Sequence, residues 1–198
     1  MMRMPGHTPR RALACLGWLA AALAATGGAQ AAVEEENTQR PYVVNPQPGE
    51  TLRQALHAAT PITVDGRRFH GYTRWNVRWN YRWWREGSGR CAITQVTTRL
   101  RTEVQLPELQ GATPAQQAAF DRYLQALSQH EQGHVQIARD AAQAIDQGIA
   151  QLPAAPDCPT LEREANALGR RLLQDHAERE KQYDERTRHG ATQGARLD

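Results

Sequence analysis

From Tyr72 onward, apolar and polar residues alternate one by one. Trp75, Val77, Trp79, Tyr81 and Trp83 fall on one side, and Arg74, Asn76, Arg78, Asn80 and Arg82 on the other. A period of two predicts a long, half-buried strand. Glu86-Gly87-Ser88-Gly89 is turn material. Beyond it Val96, Thr98, Leu100, Thr102, Val104 and Leu106 alternate with Arg99, Arg101, Glu103 and Gln105, up to Pro107. The two runs read as one long antiparallel hairpin. Its Trp and Tyr side is expected to pack on helices rather than to form a wall for substrate or glycan, because the alternation is so regular.

The period then lengthens. Thr113-Pro114-Ala115-Gln116 has a capping threonine, proline in the first helical position and a glutamine that completes a capping box. Apolar residues recur at Phe120, Leu124, Leu127, Val135, Ala138, Ala141, Ile145, Ile149 and Leu152. A helix is predicted from Pro114 to Leu152, roughly 58 Å at 1.5 Å per residue. Pro153 to Pro159 is the connection, and a second helix starts near Thr160 with Leu161, Leu168 and Leu172 on its buried side. A short helix is expected within Gly49–Thr60. The fold class is therefore α+β: a long antiparallel β-hairpin or small sheet packed on a long helical hairpin.

The amino-terminal pattern belongs to another category. Arg3, Arg10 and Arg11 precede an apolar run from Ala12 to Ala25, followed by Ala29-Gln30-Ala31. This is the layout of a secretory signal peptide, residues 1–31, cleaved after Ala31. The run is too short to span a bilayer. Residues 32–40 are expected to be a flexible acidic stretch and 41–198 a single domain. Three of the 24 basic residues and none of the 21 acidic ones lie in the leader. The remainder is electrically balanced, which argues against nucleic acid or anionic lipid as partners. Cys91 and Cys158 remain; in a secreted or periplasmic setting an even pair reads as one disulfide.

Candidate chemistry sits on the long helix at His130-Glu131-Gln132-Gly133-His134. Two histidines four apart project from one face, about one turn apart, and can share a Zn²⁺. Glu131, one residue along, is placed to take a proton from the attacking water. His-Glu-x-x-His on a helix is the pattern expected of a metalloprotease. Gly133 inside the helix costs up to about 1 kcal/mol against alanine, so something is expected to pack closely there. A catalytic zinc needs a third ligand and an open position. Counting back from the connection along an antiparallel second helix brings Glu178, Glu180 and Asp184 level with the histidines, with His189 able to fold back. His57 and His70 receive no role.

Taken together, Thr73-x-Trp75, Cys91, Leu106-Pro107, His130 to His134, Tyr183-Asp184-x-x-Thr187-x-His189-Gly190 and Gln193-Gly194 resemble a bacterial family. That family is the domain of unknown function number 922, described as predicted secreted zinc-dependent proteases. The resemblance implies a zincin-like fold and peptidase activity, and it draws attention to Asp184 and His189. His189 is the preferred third ligand, with Asp184 orienting an imidazole; the reverse assignment stays open. Tyr183 is a candidate donor to the oxyanion. The expected function is a secreted zinc metallopeptidase acting on a peptide or protein substrate. A cell-wall amidase shares the mechanism. The alternative is a non-catalytic cell-envelope interaction protein with a structural metal on the helical hairpin. Three ligands would favour the enzyme and four the scaffold.

Overall fold

The computed structural model describes residues 32–197, so the leader assigned to residues 1–31 lies outside the described residues. Two long strands, β5 (Tyr72–Arg85) and β6 (Cys91–Gln105), form the expected antiparallel hairpin. Before them come β1 (Ala32–Gln39), β2 (Tyr42–Val44), helix α1 (Leu52–Ala59) and the short pair β3 (Thr63–Val64) and β4 (Arg67–Arg68). After them come β7 (Pro107–Leu109), helix α2 (Pro114–Ala150), helix α3 (Cys158–Thr187) and a 3₁₀ turn at Ala191–Gln193. The main sheet has the order β1-β6-β5, and β2 pairs with β7 in parallel. The architecture is mixed α+β.

Residues 32–40, expected to be flexible, form a strand instead. β1 pairs in parallel with β6 from Ala32↔Thr97 to Gln39↔Val104. The acidic run that suggested solvation is neutralised by arginine. Glu34 meets Arg99 and Glu36 meets Arg101, each at 2.7 Å, while Glu35 reaches Arg139 of α2 at 2.9 Å. Val33, just ahead of these acids, packs against the core.

Alternation along β5 holds as far as Arg82, with Val77 buried and Trp75, Trp79 and Tyr81 half-buried. Beyond Arg82 the register shifts by one residue of β6, and Trp83 and Trp84 are exposed at 40 % and 68 %. Trp83 still stands beside Tyr81, with ring centroids 6.0 Å apart, but less covered than the packed face predicts. Trp75 and Trp79 do face the helices, where Val77, Val96 and Leu100 of the sheet meet Ala138, Ala142, Ile145 and Ile149 of α2 and Ala165 of α3. Each fully buried Leu or Ile there contributes about 1.5–3 kcal/mol.

The cap of α2 forms as its sequence requires: Thr113 Oγ1 accepts from the Gln116 amide and the Gln116 side chain accepts from the Thr113 amide. The helix stops two residues short of the expected end. α3 begins at Cys158 because Asp157 caps it, accepting from the Thr160 amide at 2.7 Å. Cys91 and Cys158 are joined as the expected disulfide, and Cys91 also pairs backbone-to-backbone with Ala155. The start of β6 is thus tied to the turn between the helices. α2 and α3 run antiparallel: Gly148 faces Leu168 and Leu172, while Gly133 faces Tyr183.

Candidate metal centre

His130, Glu131 and His134 are all buried, at 3 %, 3 % and 8 % exposure, although they lie on the polar turn of α2. What covers the two histidines is the last turn of α3 and the chain beyond it. Asp184 Oδ1 lies 3.1 Å from His130 Nε2 and 3.1 Å from His134 Nε2, and the two nitrogens are 3.3 Å apart. Ligands held 2.0–2.1 Å from a tetrahedral zinc stand about 3.3 Å from one another. The three atoms therefore already form the base that such an ion needs. His130, His134 and Asp184 are the His, Cys, Asp or Glu group of the described residues that can hold a metal ion.

Each imidazole is fixed from behind. His130 Nδ1–H donates to Gln193 Oε1 at 3.0 Å, and His134 Nδ1–H donates to Glu180 Oε1 at 3.2 Å. Donation from Nδ1 leaves the Nε2 lone pairs pointing at the shared site. Tyr183 stacks flat on His130, with ring centroids 5.0 Å apart and planes 9° apart. Its hydroxyl donates to the His130 carbonyl at 3.2 Å and accepts from Gln193 Nε2 at 3.1 Å. The glycine at 133 answers to this ring: a Cβ there would overlap the Tyr183 hydroxyl and Cζ.

A tight turn brings Gln193 back. Arg188, His189 and Gly190 all take positive φ, at 50°, 52° and 81°, a region costly for side chains and concentrated at functional sites. Gly190 packs against His130, where a Cβ would lie 3.1 Å from the His130 Cβ. Gln193 is a partner that periodicity does not reveal, since it acts only after this turn.

Glu131 points away from α3 towards the first residues of β5. Its Oε2 accepts from Thr73 Oγ1 at 2.7 Å, and Gly71 leaves just the space that its Oε1 needs. Burial pushes the Glu131 carboxyl up from the usual range, while Thr73 and the two histidines pull it back. On His134 burial opposes protonation, but Asp184 and Glu180 outweigh it and hold the bare ring at about 10. Asp184 is held well below the ordinary carboxylate range: burial opposes this, and hydrogen bonds from both histidines prevail.

Of the two candidates for third ligand, the structure brings Asp184, and not the preferred His189, to both histidines. Asp184 reaches the histidines, and His189 stands beside Asp184 with Nδ1 3.4 Å from Oδ1. His189 also packs its ring on Phe69 at 5.0 Å. Glu180 supports His134, and Glu178 pairs with Lys181 at the surface. The Tyr183 hydroxyl is engaged by His130 and Gln193, so its placement is that of a packing and orienting group. His70, given no role, hydrogen-bonds Tyr123 through Nδ1 at 2.7 Å, one residue before Gly71.

Residues 39–190 match the family described as "Bacterial protein of unknown function (DUF922)". No curated protein and no solved structure matches the chain.

Proposed function

The chain belongs to the bacterial DUF922 family, and on that footing we propose that it is an exported zinc-dependent metallohydrolase with a zincin-like fold that hydrolyses peptide bonds. The observation that carries the reading is the convergence of His130 Nε2, His134 Nε2 and Asp184 Oδ1 within 3.3 Å of one another, from two different helices. Two imidazoles and one carboxylate suit zinc, and three donors are one short of the four that close a structural site. This favours catalysis over the scaffold reading. The disulfide and the leader-like residues 1–31 support an oxidising compartment.

A zinc ion, when bound, polarises a carbonyl and lowers the pKa of water towards 7. The chain's own residues do the rest. Glu131 offers a carboxylate whose affinity for protons burial has raised, which suits a general base that works near neutral pH. Thr73 fixes that carboxylate through Oε2. Glu180 and Gln193 hold the two imidazoles in the tautomer that exposes Nε2.

Two substitutions test the reading. Glu131→Gln keeps size and removes the base, so zinc content should stay full while peptide cleavage falls by about 10²–10⁴-fold. His130→Ala should lose zinc and cleavage together. A Glu131→Gln protein that cleaves a peptide library as fast as the parent sinks the proposal, whatever its metal content.

A further inference from the structure

The main sheet has two edges, and they are not alike. At one edge an acidic strand is already docked on arginines: β1 lies beside β6, with Glu34 opposite Arg99 and Glu36 opposite Arg101 in register, both ion-paired. At the other edge β5 pairs with β6 alone, and no strand of the described residues covers its outer side. Its solvent face repeats the arginine theme. Arg74, Arg78 and Arg82 are exposed at every fourth position, with Asn76 and Asn80 between them.

These arginines lack counter-charges among the described residues. Arg78 is registered directly across from Arg99, Arg82 across from Gln95, and Arg74 across from Glu103, whose carboxylate is taken by Arg40 at 2.8 Å. Arg99, opposite Arg78, already holds Glu34 at 2.7 Å, so the sheet offers Arg78 no carboxylate of its own. A groove lined by Asn76, Arg78, Asn80, Arg99, Arg101 and Asn166 reaches from the face of β6 across β5 to α3. A fourteen-residue free edge offers a run of unpaired amides and carbonyls to an extended chain.

We propose that the free edge of β5 takes an extended acidic peptide segment as an added strand, with its carboxylates on Arg74, Arg78 and Arg82. The sheet displays the same recognition at its other edge, where β1 supplies the acids. This chain's own acidic strand is engaged there, so the occupant is a segment of another polypeptide. The edge begins at Thr73, whose hydroxyl holds Glu131. A segment bound along it is carried towards the candidate metal centre, so acidic peptide is the substrate class of the hydrolase reading, on which this last step rests.

The test measures binding with the Glu131→Gln protein, so that the probe is not consumed. The probe is a short fluorescent peptide of threonine and valine with glutamate at every fourth position, read by anisotropy. Three partly exposed charge pairs amount to roughly tenfold in Kd. The glutamate peptide should therefore bind about tenfold more tightly than its glutamine counterpart, and the combined Arg74→Gln, Arg78→Gln, Arg82→Gln protein should erase the difference. Methylating alternate backbone amides of the peptide should also abolish binding. Equal Kd for the two peptides, or binding indifferent to the arginines or to amide methylation, overturns the proposal. Self-association of the protein that disappears in the triple variant, with no peptide bound, also overturns it, by making a second copy the occupant. Tight glutamate-dependent binding without cleavage by the parent protein keeps the edge site and removes the peptidase reading.

Discussion

At position 133 the helix gives up the residue it would prefer. Alanine is worth up to about 1 kcal/mol more than glycine inside a helix, yet a Cβ here would overlap the Tyr183 ring. Gly133→Ala should therefore displace Tyr183 from His130, lowering both the urea midpoint and zinc affinity. Gly148→Ala is the matched comparison. Its Cβ would meet Leu168 Cδ2 at 3.2 Å and Leu172 Cδ1 at 3.5 Å, flexible ends that can give way, and Leu168 Cγ at an ordinary 3.8 Å. It should be neutral or stabilising by less than about 1 kcal/mol. Equal losses in both variants would remove the special role of the Tyr183 contact. His70 supplies a pH-dependent term. Burial, then the charges of His57 and Arg53, lowers it from 6.5 to about 4. The folded protein holds the neutral ring, so this contribution is complete above pH 6.5 and is lost as pH falls to about 4. The slope is under about 1.4 kcal/mol per pH unit, and smaller again because the ring is only half-buried. Unfolding curves of the parent and of His70→Gln should converge across that window. A constant difference between pH 7 and pH 4 would contradict the assignment.

Elements differ in how much of them the amino-acid pattern exposes. The Thr113–Gln116 cap and the alternation of β5 and β6 are local, and both form as read. The ends of that reading fail where a distant partner decides. Residues 32–40 are acidic, and nothing local says that Arg99, Arg101 and Arg139 wait for them. Counting along antiparallel helices finds the right turn of α3, but cannot separate Glu180 from Asp184, which sit one turn apart and serve the same histidine differently. Thr187 reaches His130 from the last turn of α3, whereas Gln193 meets it only because the chain then turns through three positive φ values. Within the sheet, the ion pairs of β1 are exposed, with Arg99 at 63 % and Glu34 at 56 %. Glu34→Gln should then cost less than about 1 kcal/mol, and less in high salt. Thr98 differs. It is fully buried and donates to the equally enclosed Asp146 of α2 at 2.8 Å. Thr98→Val removes a donor from a buried carboxyl and should cost about 1–3 kcal/mol. A urea titration that ranks Glu34→Gln as the worse variant would contradict this ordering.

On the scale of the whole molecule, one covalent link spans the layers. Cys91 and Cys158 are separated by 67 residues, so their bond closes all of β6, β7 and α2 into a loop. In the chain-entropy account a loop of this length is worth about 4 kcal/mol. Replacing both cysteines by serine should lower the denaturation midpoint accordingly, and unreduced, denatured protein that begins at Ala32, and so lacks Cys15, should titrate no free thiol. Two free thiols would remove the link.

That bond lies at the turn between α2 and α3, whereas the histidines and Asp184 lie near the opposite end of the same helical pair. The pair is therefore clasped permanently at one end and conditionally at the other. Amide hydrogen exchange should register the difference as a gradient. Protons around Ile149 and Leu161 should exchange only on global unfolding, with or without metal. Those around Asp184 and Gln193 should exchange through local fraying once a chelator is present. Restoring zinc should slow the second group and leave the first unchanged. Under the proposed zinc reading the metal is then the second clasp, and the susceptibility of the carboxy-terminal turn to proteases gauges how much of the protein is loaded.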